Sequence, residues 1–251
     1  MIKEIISGRN GYDIPCLNNL SGGEKLAVII SHGFGSSKES PTNQAVSAAL
    51  PKYGIGTYSF DFPAHGESPV DGRMLRIGNC TGDLADVEAH VHKLLPEAEI
   101  AYFSSSFGAY INLIYLATRK HAGRKSFLRC AAVDMPGIFR SKTTPEYQDQ
   151  LETQGFVMLD RGYLRPLKIT REFLADLDGH NVFSLYQPGM AELGMIHGTA
   201  DETASIDDTR RFARQSGAEL IEVKDADHRF LIPGGMEQVI DAAVRFFTNP
   251  V

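Results

Sequence analysis

A serine between an apolar run and a helical pattern constrains this sequence more than any other feature. Residues 100–103 are apolar, as in a buried strand, and residues 109–116 repeat apolar side chains at helical spacing. Five residues, Ser-Ser-Ser-Phe-Gly at 104–108, join the two. They predict a sharp turn from strand to helix with Ser106 at its tip, where its hydroxyl lies beside the N–H groups of the helix start.

The positions two before and two after Ser106 have to be small in such a turn, because the strand and helix backbones nearly touch there. Ser104 and Gly108 occupy them. A serine is a poor nucleophile at its free pKa and needs a positioned base. If Ser106 is a nucleophile, a histidine and a carboxylate must follow it at strand ends further along the chain.

His228 is the histidine best placed to be that base. It lies between the last predicted strand and the closing helix, so it can reach the carboxyl edge of the sheet. Asp201 directly follows a predicted strand and is expected to orient the His228 imidazole. Three other aspartates stay open as the acid: Asp134, Asp225 and Asp227.

Two backbone N–H groups are expected to hold the negative oxygen that forms when a carbonyl is attacked. One belongs to Phe107, directly after the nucleophile. The other belongs to Phe34, in a His-Gly-Phe-Gly segment that follows a predicted strand. Gly33 and Gly35 let this loop bend inward. A plain glycine turn is the alternative; a phosphate loop is disfavoured, because the third glycine and the acidic partner of a dinucleotide fingerprint are missing.

Strands and helices alternate along most of the chain, which indicates an α/β fold. Continuous apolar runs favour strands that are buried on both faces, so we expect a mostly parallel eight-stranded sheet flanked by helices. The predicted strands are residues 2–7, 12–17, 26–31, 56–61, 100–103, 128–134, 193–198 and 220–223. The predicted helices are residues 41–50, 81–91, 109–116, 205–216 and 237–247.

About 50 residues without this alternation separate the sixth predicted strand from the seventh. They are rich in aromatic side chains, so we expect a structured insertion that covers a site at the carboxyl edge of the sheet. The predicted division is a core of residues 1–136 and 189–251 with a lid of residues 137–188. Within the lid, residues 155–164 predict a hairpin and residues 169–177 a short helix.

Composition disfavours several function classes. The net charge of −6, without a basic stripe, argues against a nucleic-acid partner. The three cysteines are scattered, and no His, Cys, Asp or Glu pair has convincing metal-ligand spacing, so neither disulfides nor a metal are expected. No apolar run reaches the roughly 18–20 residues of a membrane span, and the N-terminus lacks a signal-peptide pattern. We therefore expect a cytoplasmic protein without a membrane span.

Together these segments resemble the α/β-hydrolase superfamily over nearly the whole chain. The matching motifs are residues 32–35, residues 61–68, the turn at Ser106, residues 197–201, and His228. Nucleophile, acid and base come in the chain order of that superfamily. The chain length and the insertion are similar to those of the cinnamoyl and feruloyl esterases and related small acyl esterases. This resemblance implies hydrolysis of esters with an aromatic or short acyl part, no cofactor, and a lid that shapes the acyl pocket.

The sequence thus predicts a serine esterase that acts on a small-molecule ester through an acyl-enzyme. Three lid aromatics are expected to contact the substrate: Phe139, Tyr147 and Tyr163. Apolar lid residues are compatible with a homodimer. Other chemistry of the same fold stays open (peptidase, thioesterase, acyltransferase or perhydrolase), as does a non-catalytic, ligand-binding pseudo-hydrolase.

Two residues depart from the superfamily pattern. Ser104 stands where the family usually has glycine, which is expected to widen the turn slightly. Phe107 stands where the esterases often have a polar side chain, and it is expected to make the pocket floor apolar. His65, in the loop over residues 61–68, is expected to be a structural residue beneath the loop of Phe34.

Overall fold

An eight-stranded sheet forms the centre of the structure, a computed structural model that describes residues 1–249. The strands of this part of the chain are β1 (Ile2–Ser7), β2 (Asp13–Asn19), β3 (Leu26–Ser31), β4 (Ile55–Phe60), β5 (Glu99–Ser105), β6 (Lys125–Arg129), β7 (Phe156–Leu159), β8 (Leu167–Thr170), β9 (Glu192–Gly198) and β10 (Glu219–Val223). The sheet has the order β1-β2-β4-β3-β5-β6-β9-β10, and β7 pairs with β8. Of the eight strands in this sheet, β2 alone points in the opposite direction to the others. The predicted α/β fold with a mostly parallel sheet is therefore confirmed.

The strands are connected mainly by helices. Within residues 1–249 the α-helices are α1 (Pro41–Ala49), α2 (Ile77–Leu94), α3 (Phe107–Thr118), α4 (Met135–Ser141), α5 (Pro145–Gln154), α6 (Arg171–Gly179), α7 (Val182–Leu185), α8 (Ile206–Ser216) and α9 (Gly235–Thr248). The five helices predicted outside the insertion are present, although α2 is longer at both ends than predicted. None of the helices in this part of the chain is long and apolar enough to cross a membrane.

Both faces of the sheet are buried. In β3, Ala27 and Ile29 belong to one hydrophobic cluster, and Val28 and Ile30 belong to the other. Helices α2, α3 and α8 contribute to the first cluster, whereas α1 and α9 contribute to the second. Because successive side chains enter two different cores, the strand is a continuous apolar run in the sequence.

One strand lies earlier in the chain than predicted. The sequence predicted residues 128–134, but β6 is Lys125–Arg129, and the chain leaves the sheet at Cys130, where φ is 45°. The strand was misplaced because β6 begins and ends with a charged residue. Both are buried because Lys125 and Arg129 donate to backbone carbonyls of distant segments, at 2.5 and 2.7 Å.

The insertion between β6 and β9 holds α4, α5, the β7–β8 hairpin, α6 and α7. The hairpin was predicted within residues 155–164, but its second arm is β8, so that prediction was wrong about the pairing. For the same reason the helix predicted over residues 169–177 begins at Arg171, as α6. Helices α4, α5 and α7 were missed; α5 buries none of its residues, so no apolar face marks it in the sequence.

The C-terminal half of the insertion is anchored to the core. Ile169 and Phe173 belong to the same hydrophobic cluster as α2 and α3. Arg76, just before α2, donates to both carboxylate oxygens of Asp176 at 2.6 and 2.8 Å. The lid boundary at residues 137–188 stays a prediction, but this half packs as part of the core.

The start of α3 lies against the end of β3. A Cβ atom added at Gly108 would be 2.6 Å from the carbonyl oxygen of His32 and 2.7 Å from that of Ser31, closer than real Cβ atoms come. The close approach of the two backbones therefore requires glycine here, as the sequence predicted. Ser104 is fully buried, and its hydroxyl has no hydrogen-bond partner in the described part of the chain.

We predict that Gly108→Ala lowers the free energy of unfolding by about 1–3 kcal/mol, the usual cost of overpacking a dense contact. Urea titration followed by circular dichroism measures this change. Gly78→Ala is the matched control, because a Cβ at Gly78 in α2 would meet no atom within 4 Å. It should leave stability unchanged or raise it by up to about 1 kcal/mol. Equal effects of the two substitutions would contradict the close approach at Gly108.

Candidate active site

Ser106 lies at the tip of the turn between β5 and α3, and its backbone is strained. Its φ and ψ are 52° and −114°, a combination that residues other than glycine rarely adopt. The backbone is held in this state by its neighbours: the N–H of Ser106 donates to the carbonyl of Arg129 at 2.9 Å. Its own carbonyl accepts from the N–H of Tyr110 (3.2 Å) and of Ala132 (3.3 Å).

The structure brings Ser106, His228 and Asp201 together in one hydrogen-bonded chain. His228 Nε2 is 3.0 Å from Ser106 Oγ, and His228 Nδ1 is 2.7 Å from Asp201 Oδ2. A carboxylate can only accept, so Nδ1 carries the proton and Nε2 is left to accept from the serine hydroxyl. The three side chains come from the ends of β5, β9 and β10, which meet at the carboxyl edge of the sheet.

The Asp201 carboxylate is buried and fully satisfied. Oδ1 accepts from the N–H groups of Thr203 (2.8 Å) and Ala204 (2.9 Å), and Oδ2 accepts from His228. Burial on its own would raise the pKa of Asp201, but hydrogen bonds from His197, His228 and the Ala204 N–H outweigh it and hold that pKa far below its usual value. Asp201 therefore keeps its negative charge at every working pH.

A second imidazole also binds Asp201. His197 is fully buried, and its Nε2 is 3.1 Å from Asp201 Oδ2 and 3.0 Å from the carbonyl oxygen of Ala204. Both partners are acceptors, so Nε2 carries the proton, and Nδ1 accepts from the Thr209 hydroxyl at 3.1 Å. Sequence reasoning placed His197 in a motif without giving it a role. The available signal was its position four residues before Asp201.

Cys130, His197 and Asp201 place potential metal-ligand atoms within 4.8 Å of one another. His197 and Asp201 come from the end of β9, but Cys130 follows β6, so spacing in the sequence could not reveal the complete group. Both ring nitrogens of His197 already have hydrogen-bond partners, and Asp201 binds His228. We therefore infer that these side chains hold Asp201 in place. The absence of a metal stays a prediction.

The three alternative acids lie elsewhere. Asp134 caps the N-terminus of α4, Asp227 accepts from a backbone N–H of its own loop, and Asp225 is exposed. Within residues 1–249, none of them is hydrogen-bonded to His228. The geometry therefore favours Asp201 among the four.

The loop of Phe34 approaches Ser106 closely. A Cβ added at Gly33 would be 3.4 Å from Ser106 Cβ. The N–H groups of Phe34 and Phe107 donate to no protein acceptor in the part of the chain that the structure describes; Phe107 is the first residue of α3, where N–H groups have no partner inside the helix. Two free donors beside the serine suit a developing oxyanion.

A buried ion pair fixes the Phe34 loop to the loop after β4. Lys38 Nζ is 2.8 Å from Asp61 Oδ2, and Asp61 Oδ1 accepts from the Lys38 N–H at 2.7 Å. The ring of His65 packs edge-on against that of Phe34, with centroids 5.3 Å apart. Burial, and then the neighbouring His32, lower the pKa of His65 to about 3, so His65 is neutral. Its expected structural role beneath the loop is confirmed.

A cavity of about 930 Å³ opens at Ser106 and His228. The three aromatic residues predicted to contact substrate all line it: Phe139, Tyr147 and Tyr163. Tyr163 also lies against the Phe34 loop, since a Cβ added at Gly35 would be 2.2 Å from its ring. The N-terminal half of the insertion thus forms one wall of the cavity.

The side chain of Phe107 does not form the cavity floor. It is fully buried, and its ring packs against those of Phe34, Phe62 and His65. The prediction that Phe107 makes the pocket floor apolar was therefore wrong. The helix start turns this side chain into the core and leaves only its backbone N–H near the serine.

A smaller cleft of about 410 Å³ lies on the far side of Asp201. It shares Ile138 and Thr203 with the large cavity but is lined by neither Ser106 nor His228. Four carboxylates line it: Asp134, Asp201, Glu202 and Asp208. The two spaces therefore differ in charge as well as in access to the serine.

A family model described as "Serine aminopeptidase, S33" matches residues 22–152. No curated protein matches the chain.

Several solved structures share the fold. A putative hydrolase from Agrobacterium vitis S4 has a TM-score of 0.85 at 17% identity, with 98% of each chain covered. Est1E from Butyrivibrio proteoclasticus, with ferulic acid bound, has a TM-score of 0.82 at 19% identity, with 97% of each chain covered. Mouse alpha/beta hydrolase domain-containing protein 10 has a TM-score of 0.80 at 18% identity, with 98% of each chain covered. At such identities the likeness shows the fold, which is the one that the sequence resemblance implied.

Asp201→Asn is expected to make stability less sensitive to acid. The folded-state pKa of Asp201 is depressed, so its carboxylate stabilises the fold fully above the unfolded-state pKa of about 4, and that contribution declines as pH falls below it. The gap in unfolding free energy between wild type and variant should therefore be larger at pH 7 than at pH 3.5, as measured by urea titration.

Asp241→Asn is the control for that titration, because Asp241 is exposed on α9. Its gap to wild type should stay the same at both pH values. A pH-independent gap for Asp201→Asn as well would contradict the network around this carboxylate.

Proposed function

Because this chain belongs to the hydrolase family described as serine aminopeptidase S33, and has the α/β-hydrolase fold, we propose that it is a serine hydrolase of carboxylic esters. Ser106 is the nucleophile, His228 the general base and acid, and Asp201 the group that orients His228. The observation that carries this proposal is the chain of two hydrogen bonds, at 3.0 and 2.7 Å, that links the three side chains.

The first half of the reaction forms an acyl-enzyme. Ser106 Oγ bonds to the ester carbonyl carbon while its proton passes to His228 Nε2. The carbonyl electron pair moves to the oxygen, which the N–H groups of Phe34 and Phe107 stabilise. The intermediate collapses, the bond to the alkoxy oxygen breaks, and the leaving alcohol takes the proton from His228.

The second half hydrolyses the acyl-enzyme. A water gives its proton to His228 Nε2 and attacks the acyl carbon, and Ser106 Oγ leaves with that proton. The carboxylic acid is released, and no oxidant or cofactor enters the balance. Asp201 stabilises the His228 imidazolium in both halves because its own pKa is held low and it stays ionised.

The substrate class follows from the walls of the cavity. Phe34, Phe139, Tyr147 and Tyr163 offer aromatic surface within reach of Ser106, which suits an aromatic or short acyl part. The likeness to Est1E with ferulic acid bound is consistent with this class. The N-terminal half of the insertion acts as the lid, since it supplies three of these four rings.

Removal of an N-terminal amino acid is a second candidate, favoured by the description of the matching family. An aminopeptidase must bind a free ammonium near the serine. Glu39 lines the cavity at Ser106 but is paired with Lys3 at 3.3 Å. The other candidate carboxylates line the smaller cleft, which reaches neither Ser106 nor His228. We therefore favour ester hydrolysis; rapid cleavage of aminoacyl 4-nitroanilides with no turnover of 4-nitrophenyl esters would reverse that order.

Ser106→Ala should lower kcat on 4-nitrophenyl butyrate by about 10⁴–10⁶-fold, because only the oxyanion donors and binding remain. Release of 4-nitrophenol measures the rate. The matched control is Ser104→Ala, which removes a neighbouring hydroxyl that makes no hydrogen bond within residues 1–249 and should keep most of the activity. A fluorophosphonate probe should label wild type but not Ser106→Ala. If the probe did not label the wild type, the alternative of a non-catalytic, ligand-binding pseudo-hydrolase would be favoured.

Asp201→Asn should lower kcat on the same ester by about 10³–10⁴-fold, because the His228 imidazolium loses its stabilising charge and its tautomer is no longer fixed. Asp134→Asn tests the alternative acid and should leave kcat within about threefold of wild type, since Asp134 caps α4. The reverse pattern would assign the acid to Asp134.

A further inference from the structure

The cavity at Ser106 is surrounded by positive charge, although the whole chain carries a net charge of −6. Its cationic lining residues are Arg129, Lys142, Arg161 and Arg229. The carboxylate among the described lining residues is that of Glu39, and Lys3 neutralises it at 3.3 Å. The lining therefore favours negatively charged ligands over positively charged ones. The steps of ester hydrolysis do not themselves use this positive charge.

Three of these cations, two in the lid and one beside His228, form no ion pair within residues 1–249. In residues 1–249, no carboxylate oxygen lies within 4.0 Å of the charged nitrogens of Lys142, Arg161 or Arg229. Other arginines of the chain are paired: Arg76 with Asp176, and Arg210 with Glu222, both at 2.6 Å. Lys142, Arg161 and Arg229 thus keep their charged groups available to a ligand.

Lys142 and Arg161 line the same cavity. Partial burial, and then the positive charge of Arg161, lower the pKa of Lys142. Two cations that repel each other at the wall of one cavity are stabilised together by a single anion placed between them. An anionic group is therefore the chemical partner that this part of the wall lacks.

A hydroxyl at the same place also lacks a partner. Tyr147 OH is shielded from water, and in the described part of the chain it has no hydrogen-bond partner. Burial raises the pKa of Tyr147 to about 12 while Arg161 opposes the change, so the hydroxyl stays protonated and able to donate. A shielded donor without an acceptor costs free energy, which a bound carboxylate oxygen would recover.

We propose that Lys142, Arg161 and the Tyr147 hydroxyl form a subsite for a carboxylate on the substrate, so that the natural ester is anionic. This inference rests on the proposed ester hydrolysis and adds the charge of the substrate to it. The carboxylate belongs either to the acyl part or to the alcohol part, whichever extends from Ser106 toward the lid. Arg129 and Arg229, which also line the cavity, add to the attraction.

The kinetic test compares anionic esters with their neutral methyl-ester analogues at low salt. One arm uses mono-4-nitrophenyl glutarate, with the carboxylate on the acyl part. The other uses 4-(butyryloxy)phenylacetate, with the carboxylate on the alcohol part. In one of the two arms, wild type should prefer the anionic ester by about tenfold or more in kcat/KM, mainly through KM, and 0.5 M NaCl should reduce this preference.

Lys142→Gln/Arg161→Gln should reduce the anionic-to-neutral ratio to about twofold or less. The matched control is Lys120→Gln/Arg124→Gln, which removes the same charges from exposed positions away from the cavity and should leave the ratio unchanged. Tyr147→Phe should lower the ratio by about fivefold, the size of one lost hydrogen bond of typical net strength. Absence of any preference in both arms, or an equal loss in the two double variants, would overturn the subsite.

Binding to the Ser106→Ala protein separates this inference from the proposed reaction. Calorimetry would measure amide analogues of the two anionic esters and of their methyl esters. Tighter binding of an anionic amide by about tenfold, lost in Lys142→Gln/Arg161→Gln, would support the subsite even if wild type hydrolysed no ester. Ester hydrolysis that depends on Ser106, combined with equal binding of anionic and neutral amides, would refute the subsite and leave the proposed reaction standing.

Discussion

The strained backbone of Ser106 is the constraint on which the site depends. A non-glycine residue at a φ of 52° costs about 1–3 kcal/mol, so the surrounding structure must compensate. It does so with three backbone hydrogen bonds, to Arg129, Tyr110 and Ala132, and with the contact that only Gly108 allows. These interactions use the end of β6, the segment directly after it and the first turn of α3, so sheet and helix must both be in place for the hydroxyl to be in position.

A second constraint is the negative charge of Asp201 at a buried position. Two imidazoles and two N–H groups satisfy this carboxylate, and they come from β9, the loop after it, and the loop after β10. The end of β9 and the loop after β10 pack closely together, since a Cβ added at Gly198 would lie 2.2 Å from the carbonyl oxygen of Ala226. Thr209 of α8 donates to His197 Nδ1, so a helix away from the serine keeps the His197 proton on Nε2, which faces Asp201.

The sequence predicted the serine, base and acid because each is marked by short-range signals, an apolar strand followed by a particular turn. It failed where burial is decided by distant partners. Lys125 and Arg129 look like surface residues until carbonyls from other segments are placed beside them, which shifted β6 by several residues. The sequence also did not identify His197 and Lys142 as site residues, because their roles depend on side chains that only the fold brings close to them.

Positive side chains line the cavity at Ser106, whereas negative side chains line the smaller cleft on the other side of Asp201. The cavity carries Lys142 and Arg161, whereas the smaller cleft carries Glu202 and Asp208. An ester with a distant carboxylate is attracted toward the lid and repelled from the cleft, so the two fields act in the same direction. Since the screening length is about 8 Å in physiological salt, this arrangement orients the substrate before any aromatic contact forms. The lid rings then need only to hold an ester whose direction is already set.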